Sequence, residues 1–232
     1  MPANFADAYD SIQEARKATS LLMVEYLDSN DCPVGRTYAT AFFVGKSTLL
    51  TAAHSVVVVP KELSKNIKIK IRLFNPGQVC HDMNEVRAGR PFTIVCRVLA
   101  YLSPSNLEKP YTTKNDMCQD IAILSAKPME SASVLKLSSE SIPPGAIVDV
   151  IGYPGEQEIK WLLRNHENLR DKVNIKMRGE ALLPPGSMVV TRGLTMEDTT
   201  GTSLTLYTNS TSPGLSGSCL VYNGKVCGIN PC

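Results

Sequence analysis

Ile67-Lys68-Ile69-Lys70-Ile71-Arg72-Leu73 alternates strictly between apolar and basic residues. A period of two is the signature of an extended chain with one face buried, because successive side chains leave a strand on opposite sides. The basic side chains of this run are expected in water, as a solvated face and not as a nucleic-acid patch. Similar short runs recur along the chain. Candidate strands fall at 20–27, 38–44, 48–51, 67–74, 92–101, 121–124, 146–152, 187–192, 203–208, 218–222 and 226–229. Gly, Pro and Asn punctuate them, which predicts an all-β barrel or sandwich. Gly45 to Ser47 and Asn223-Gly224 read as tight hairpin turns. Loops are expected at 103–117 and 128–144.

Two helices interrupt this pattern. Over residues 4–18, Phe5, Tyr9, Ile12 and Ala15 share one face at helical spacing, predicting a helix on the outside of the barrel. Residues 156–172 read as a helical insertion, with Trp161 as its packing anchor and His166 exposed. The apolar block from Val56 to Pro60 fits a strand. A length of 232 residues allows one large all-β domain or two small fused barrels. The expected division is an amino-terminal helix over 1–19, a first barrel over 20–135 and a second over 136–232.

The formal net charge of +2 gives no reason to expect nucleic acid or a membrane as partner. No run approaches the roughly 20 apolar residues of a membrane helix. The chain holds seven cysteines and three histidines, with no CxxC pair, so neither a metal site nor a cofactor is expected. An odd cysteine count favours free thiols. The amino terminus has no basic start followed by an apolar core. A cytoplasmic location is therefore expected, and a signal on a longer precursor would make the protein secreted. The sequon Asn209-Ser210-Thr211 lies seven residues before Ser216, where a glycan would crowd a site built on that serine.

Three motifs carry chemistry. Leu50-Thr51-Ala52-Ala53-His54-Ser55 runs a strand with small side chains into a histidine. Asp120-Ile121-Ala122-Ile123-Leu124 places an acid at the head of a buried strand, where a carboxylate needs a partner. Asp116 is the weaker candidate, since no buried strand follows it directly. Gly214-Leu215-Ser216-Gly217-Ser218 flanks a serine with glycines, so that backbone N–H groups can converge. Each motif alone is weak, and their conjunction is strong. The order is His, Asp, Ser, with 66 and 96 residues between successive members.

With these motifs the chain resembles the chymotrypsin-like (trypsin-fold) serine peptidases, nearest the glutamyl endopeptidase branch without activation peptides. Ala39-Thr40-Ala41-Phe42-Phe43-Val44-Gly45, Val150-Ile151-Gly152-Tyr153-Pro154-Gly155 and Gly224-Lys225-Val226-Cys227-Gly228-Ile229 extend the likeness over about residues 20–230. The resemblance implies two six-stranded antiparallel barrels with the active site between them. It implies Ser216 as nucleophile, His54 as general base and Asp120 as the group orienting the imidazole, acting through an acyl-enzyme on a protein or peptide substrate. The backbone N–H groups of Gly214 and Ser216 would form the oxyanion hole.

The chain departs from the secreted digestive members of that family. Ser55 stands where they carry a cysteine, and Leu215 stands where they carry the aspartate that receives a liberated amino terminus. Only 16 residues follow Ser216. Counting six back from Ser216 gives Ser210 at the base of the primary pocket, with Thr211 beside it, which disfavours cleavage after Lys or Arg. The competing function is a latent or catalytically silent trypsin-fold module. It would bind proteins within a larger multidomain, regulatory or immune-type assembly.

Overall fold

The structure, a computed structural model, describes residues 5–59, 63, 66–78, 85, 88–102, 119–154, 188–197, 207–209 and 214–231. The chain begins with helix α1, Phe5–Ala18, which runs without a loop into strand β1, Thr19–Leu27. Thr19 closes the last helical turn by donating from Oγ1 to the Ala15 carbonyl at 2.7 Å.

Strands β2 (Pro33–Gly45), β3 (Thr48–Thr51), β4 (Lys68–Leu73), β5 (Ile94–Leu102) and β6 (Ile121–Ala126) follow. With β1 they close an antiparallel barrel in the order β1-β2-β3-β6-β5-β4. Leu22, Val24, Phe43, Leu49, Leu73 and Leu124 fill its interior. The turn between β2 and β3 lies at Lys46 and Ser47, as the Gly45-to-Ser47 signal predicts.

Strands β7 (Ile147–Gly152), β8 (Val189–Leu194), β9 (Cys219–Tyr222) and β10 (Lys225–Ile229) form the second half. Among the described residues these make a four-stranded antiparallel sheet in the order β10-β9-β7-β8. Asn223 and Gly224 join β9 to β10 with φ of 47° and 73°, the double positive φ that a tight hairpin needs. The candidate segment 203–208 contributes only an isolated bridge, Thr195 to Tyr207, among the described residues. The insertion expected at 156–172 lies outside them.

The two halves meet at an apolar seam. Phe42 and Leu50 point out of the barrel and pack with Ile151, Cys219 and Val221 of the second sheet. Residues 39–43 of β2 and 49–51 of β3 are thus buried on both faces, which is why Ala41-Phe42-Phe43 is continuously apolar where a half-buried strand would alternate. Helix α1 packs on the outer face of the barrel, at this seam. Its Ala15 and Ala18, both fully buried, belong to the same cluster. Two methyl-sized side chains let the helix approach closely enough to touch both halves.

Two expectations are corrected. Val56-Val57-Val58-Val59-Pro60 does not begin a strand: His54–Val57 is a single helical turn, α2. Ala53 has helical φ and ψ (−64°, −42°), and the Val56 and Val57 N–H groups both donate to its carbonyl at 3.0 Å. Val56 is 1% exposed and plugs the barrel interior, so burial overrides β-branched propensity. Arg72, read as solvated, instead reaches the carboxylate of Glu25, with Nη2 2.6 Å from Oε2. Glu25 is 2% exposed and also accepts from Arg36 Nε at 2.9 Å. Arg36 stands directly across from Glu25 on β2. Glu25 faces Lys70 on β4, which leaves Arg72 as its diagonal neighbour, within reach of a long side chain.

Candidate active site

The ladder between β3 and β6 builds half of the site. Thr51 pairs with Ala122 in antiparallel register. His54, three residues past Thr51, and Asp120, two residues before Ala122, therefore leave the same end of the ladder. Ala52 and Ala53 are fully buried, and larger side chains there would push the imidazole off the barrel. Asp120 is 4% exposed and is satisfied wholly by His54 among the contacts described. Its Oδ2 lies 2.6 Å from His54 Nδ1, and its Oδ1 accepts the His54 backbone N–H at 2.8 Å. A carboxylate only accepts, so Nδ1 carries the proton and Nε2 presents its lone pair.

That lone pair faces Ser216. The distance from His54 Nε2 to Ser216 Oγ is 3.2 Å. Ser55, the residue that departs from the secreted peptidases, brings its own hydroxyl to 3.3 Å from the same nitrogen. The structure thus brings together His54, Asp120 and Ser216, which lie far apart in the chain.

Ser216 sits in a tight turn ahead of β9, closed by Ser218 N–H to the Leu215 carbonyl at 2.9 Å. Gly214 and Gly217 have φ of 91° and 83°. Gly217 is required for a second reason. A Cβ there would run into the Thr40 carbonyl oxygen and the Thr51 hydroxyl. Gly152 has a like role, since a Cβ on it would overlap the Ser218 hydroxyl. This accounts for the glycine in Val150-Ile151-Gly152-Tyr153: β7 must lie against the Ser216 turn. Leu215 is 2% exposed and buried as an apolar side chain, with no carboxylate in its place.

Two buried polar residues hold the turn, and the motif search missed both. Thr40, on β2, donates its N–H to the Ser216 carbonyl at 2.9 Å and its hydroxyl to the Gly214 carbonyl at 3.0 Å. Asn230 donates Nδ2 to the Leu215 carbonyl at 3.0 Å, while its own carbonyl accepts the Gly217 N–H at 2.8 Å. Tyr207 in turn donates its hydroxyl to Asn230 Oδ1 at 2.7 Å. The one sequence clue to Thr40 is its position between two alanines in the apolar half of its strand, where a hydroxyl needs a partner.

Ser210 and Thr211, the expected pocket residues, lie outside the described residues. Asn209, first residue of the sequon, is 8% exposed and donates Nδ2 to the carbonyls of Thr191 at 2.5 Å and Val148 at 3.3 Å. Cys32, Cys96, Cys219 and Cys227 are free thiols. Burial pushes the thiols of Cys96 and Cys219 up to about 12 and that of Cys227 up to about 11. None of these three buried thiols is a ready nucleophile near neutral pH. No helix among the described residues is long and apolar enough to cross a membrane.

Residues 39–229 match the sequence model of the trypsin-like peptidase domain. The structure is similar to the Rv3671c protease of M. tuberculosis in its inactive form, at 16% identity and a TM-score of 0.51, over 99% of this chain and 82% of that one. It is also similar to Deg5, at 12% identity and a TM-score of 0.55, over all of this chain and 87% of that one. At such identities the likeness concerns the fold. No curated protein sequence matches the chain.

Proposed function

Since the chain belongs to the family of trypsin-like peptidase domains, we propose that it is a serine endopeptidase that works through an acyl-enzyme formed on Ser216. The observation that carries this reading is the two-sided placement of one imidazole. Nδ1 of His54 is 2.6 Å from a buried carboxylate, and Nε2 is 3.2 Å from a serine hydroxyl in a glycine-flanked turn.

The steps follow from these contacts. Ser216 Oγ attacks the carbonyl carbon of the scissile peptide while its proton passes to His54 Nε2. Asp120 accepts from Nδ1–H throughout and stabilises the imidazolium so formed. The substrate oxygen, now negative, is received by the backbone N–H groups of Gly214 and Ser216. His54 then gives its proton to the leaving amine, and the amine departs. Water next attacks the ester under the same base, releasing the acid and restoring Ser216. No cofactor enters this sequence. By sequence offset the floor of the primary pocket is assigned to Ser210 with Thr211 beside it, a small polar floor suited to uncharged side chains.

The direct test is labelling by a fluorophosphonate, on wild type and Ser216→Ala in parallel. Labelling of wild type alone is the expected result. A folded wild type that stays unlabelled would overturn the reading in favour of a silent trypsin-fold module that binds proteins. A peptide-library profile dominated by cleavage after Arg or Lys would overturn the pocket assignment.

A further inference from the structure

We propose that Thr40 is a positioning residue for the oxyanion hole, holding from the opposite half of the molecule the Gly214 and Ser216 carbonyls, on the two peptide planes that flank the one carrying the Ser216 N–H. The inference rests on the peptidase reading above and on its assignment of the Gly214 and Ser216 N–H groups.

Thr40 is fully buried on β2 and uses every polar atom it has. Its N–H holds the Ser216 carbonyl at 2.9 Å, and its hydroxyl donates to the Gly214 carbonyl at 3.0 Å. The same hydroxyl accepts the Tyr153 N–H at 2.9 Å, and the Thr40 carbonyl accepts the Thr51 hydroxyl at 2.7 Å. One residue therefore joins the nucleophile turn, the end of β7 and the strand that presents His54.

The consequence lies in the geometry of the peptide unit. A planar peptide fixes its N–H once its carbonyl is fixed. The Leu215 carbonyl, held by Asn230 and Ser218, sets the direction of the Ser216 N–H. The Gly214 N–H lies on the peptide that enters Gly214, not on the plane of the Gly214 carbonyl, so its aim relative to that carbonyl depends on the rotation of Gly214 itself. That residue has no Cβ and a φ of 91°, so its own sterics resist rotation least in the turn. The Thr40 hydroxyl on its carbonyl supplies the restraint that the glycine lacks. Removing the hydroxyl also leaves the Gly214 carbonyl and the Tyr153 N–H unpaired in the interior, which favours a turned peptide plane.

Thr40→Val keeps the shape and deletes the hydroxyl; Thr40→Ser keeps the hydroxyl. For Thr40→Val, kcat on a peptide substrate is expected to fall about 10–100-fold, short of the roughly 10²–10³ that follows outright loss of an oxyanion donor. KM should stay within about twofold, because the contact matters only once charge develops. Thr40→Ser should recover most of kcat. Should Thr40→Val not fold, Thr40→Ala carries the same comparison with the backbone N–H retained. An unchanged kcat in a hydroxyl-free variant, or a rise in KM alone, overturns the proposal. If wild type itself is inert, the peptidase reading fails separately, and crystal structures of wild type and variant decide. A Gly214 carbonyl turned away in the variant supports the clamp, and one left in place refutes it.

Discussion

Asp120 grips His54 twice, with one carboxylate oxygen on ring Nδ1 and the other on the backbone N–H of the same residue. Only a group with two acceptors can do both. In Asp120→Asn the amide oxygen keeps one contact and its NH₂ faces the other. If the NH₂ faces Nδ1, the imidazole must change tautomer and Nε2 can no longer accept from Ser216. The expected outcome is a loss of about 10⁴ in kcat on a peptide substrate, the scale known for the wrong tautomer in such triads. Circular dichroism should show an intact fold.

Gly217→Ala tests the closeness of the nucleophile turn to β2. The residue combines a φ of 83° with a collision between the new Cβ and the Thr40 carbonyl. Strain of this backbone type costs about 1–3 kcal/mol and overpacking a similar amount. A lowered thermal midpoint together with loss of fluorophosphonate labelling is expected. Labelling at the wild-type rate would show that the turn can move without harm.

Glu25 is a buried charge between two arginines. Glu25→Ala leaves both guanidinium groups beside the barrel wall without their acceptor. Breaking a buried pair costs about 3–5 kcal/mol, and since Arg36 and Arg72 are partly exposed the lower end, about 3 kcal/mol, is expected in urea denaturation. Glu25→Gln should lie between that value and wild type. A change below roughly 0.5 kcal/mol, the size of ordinary surface substitutions, would mean that water replaces the carboxylate freely.

Alkaline stability follows from the thiols. Burial raises Cys96 and Cys219 to about 12 and Cys227 to about 11 in the folded chain, against about 8.5 for a cysteine in an unfolded one. A group whose folded value is the higher one stabilises fully below its unfolded value, and that stabilisation is lost as pH rises toward the folded value. The thermal midpoint should therefore decline from about pH 8.5 upward through the alkaline range. The decline should be shallower in Cys96→Ala than in wild type, and equal slopes would exclude the thiol as a source.

Asn209 makes the sequon unusable in the folded protein, because its Nδ2 is already spent on two carbonyls. Expression through a secretory pathway is expected to yield folded protein with no glycan at this position by peptide mass mapping. A fully glycosylated, folded product would contradict the observed packing.

The strands were legible because each carries its own pattern. The segment 48–51 matches β3 end for end, and most others match within one or two residues. His54 and Ser216 were legible because small or glycine neighbours mark places where backbone must pack tightly, and Asp120 because an acid at the head of a buried apolar strand needs a partner. Asn230 carries no such local mark, and the alanines beside Thr40 do not say what its hydroxyl binds. The importance of both residues arises from what lies across a seam, 174 residues away in the contact from Thr40 to Gly214. Arg72 was misread for the same reason. Alternation gives the face on which a side chain leaves its strand, but the buried carboxylate waiting on the neighbouring strand depends on register. The helical turn α2 was hidden beneath four consecutive valines, since what selected it was the vacancy Val56 fills.

Helix α1 is the first element of the chain and lies on the seam between the two halves, touching both. Its buried end is shared between the half that carries His54 and the half that carries Ser216, so the helix lies as a splint across their joint.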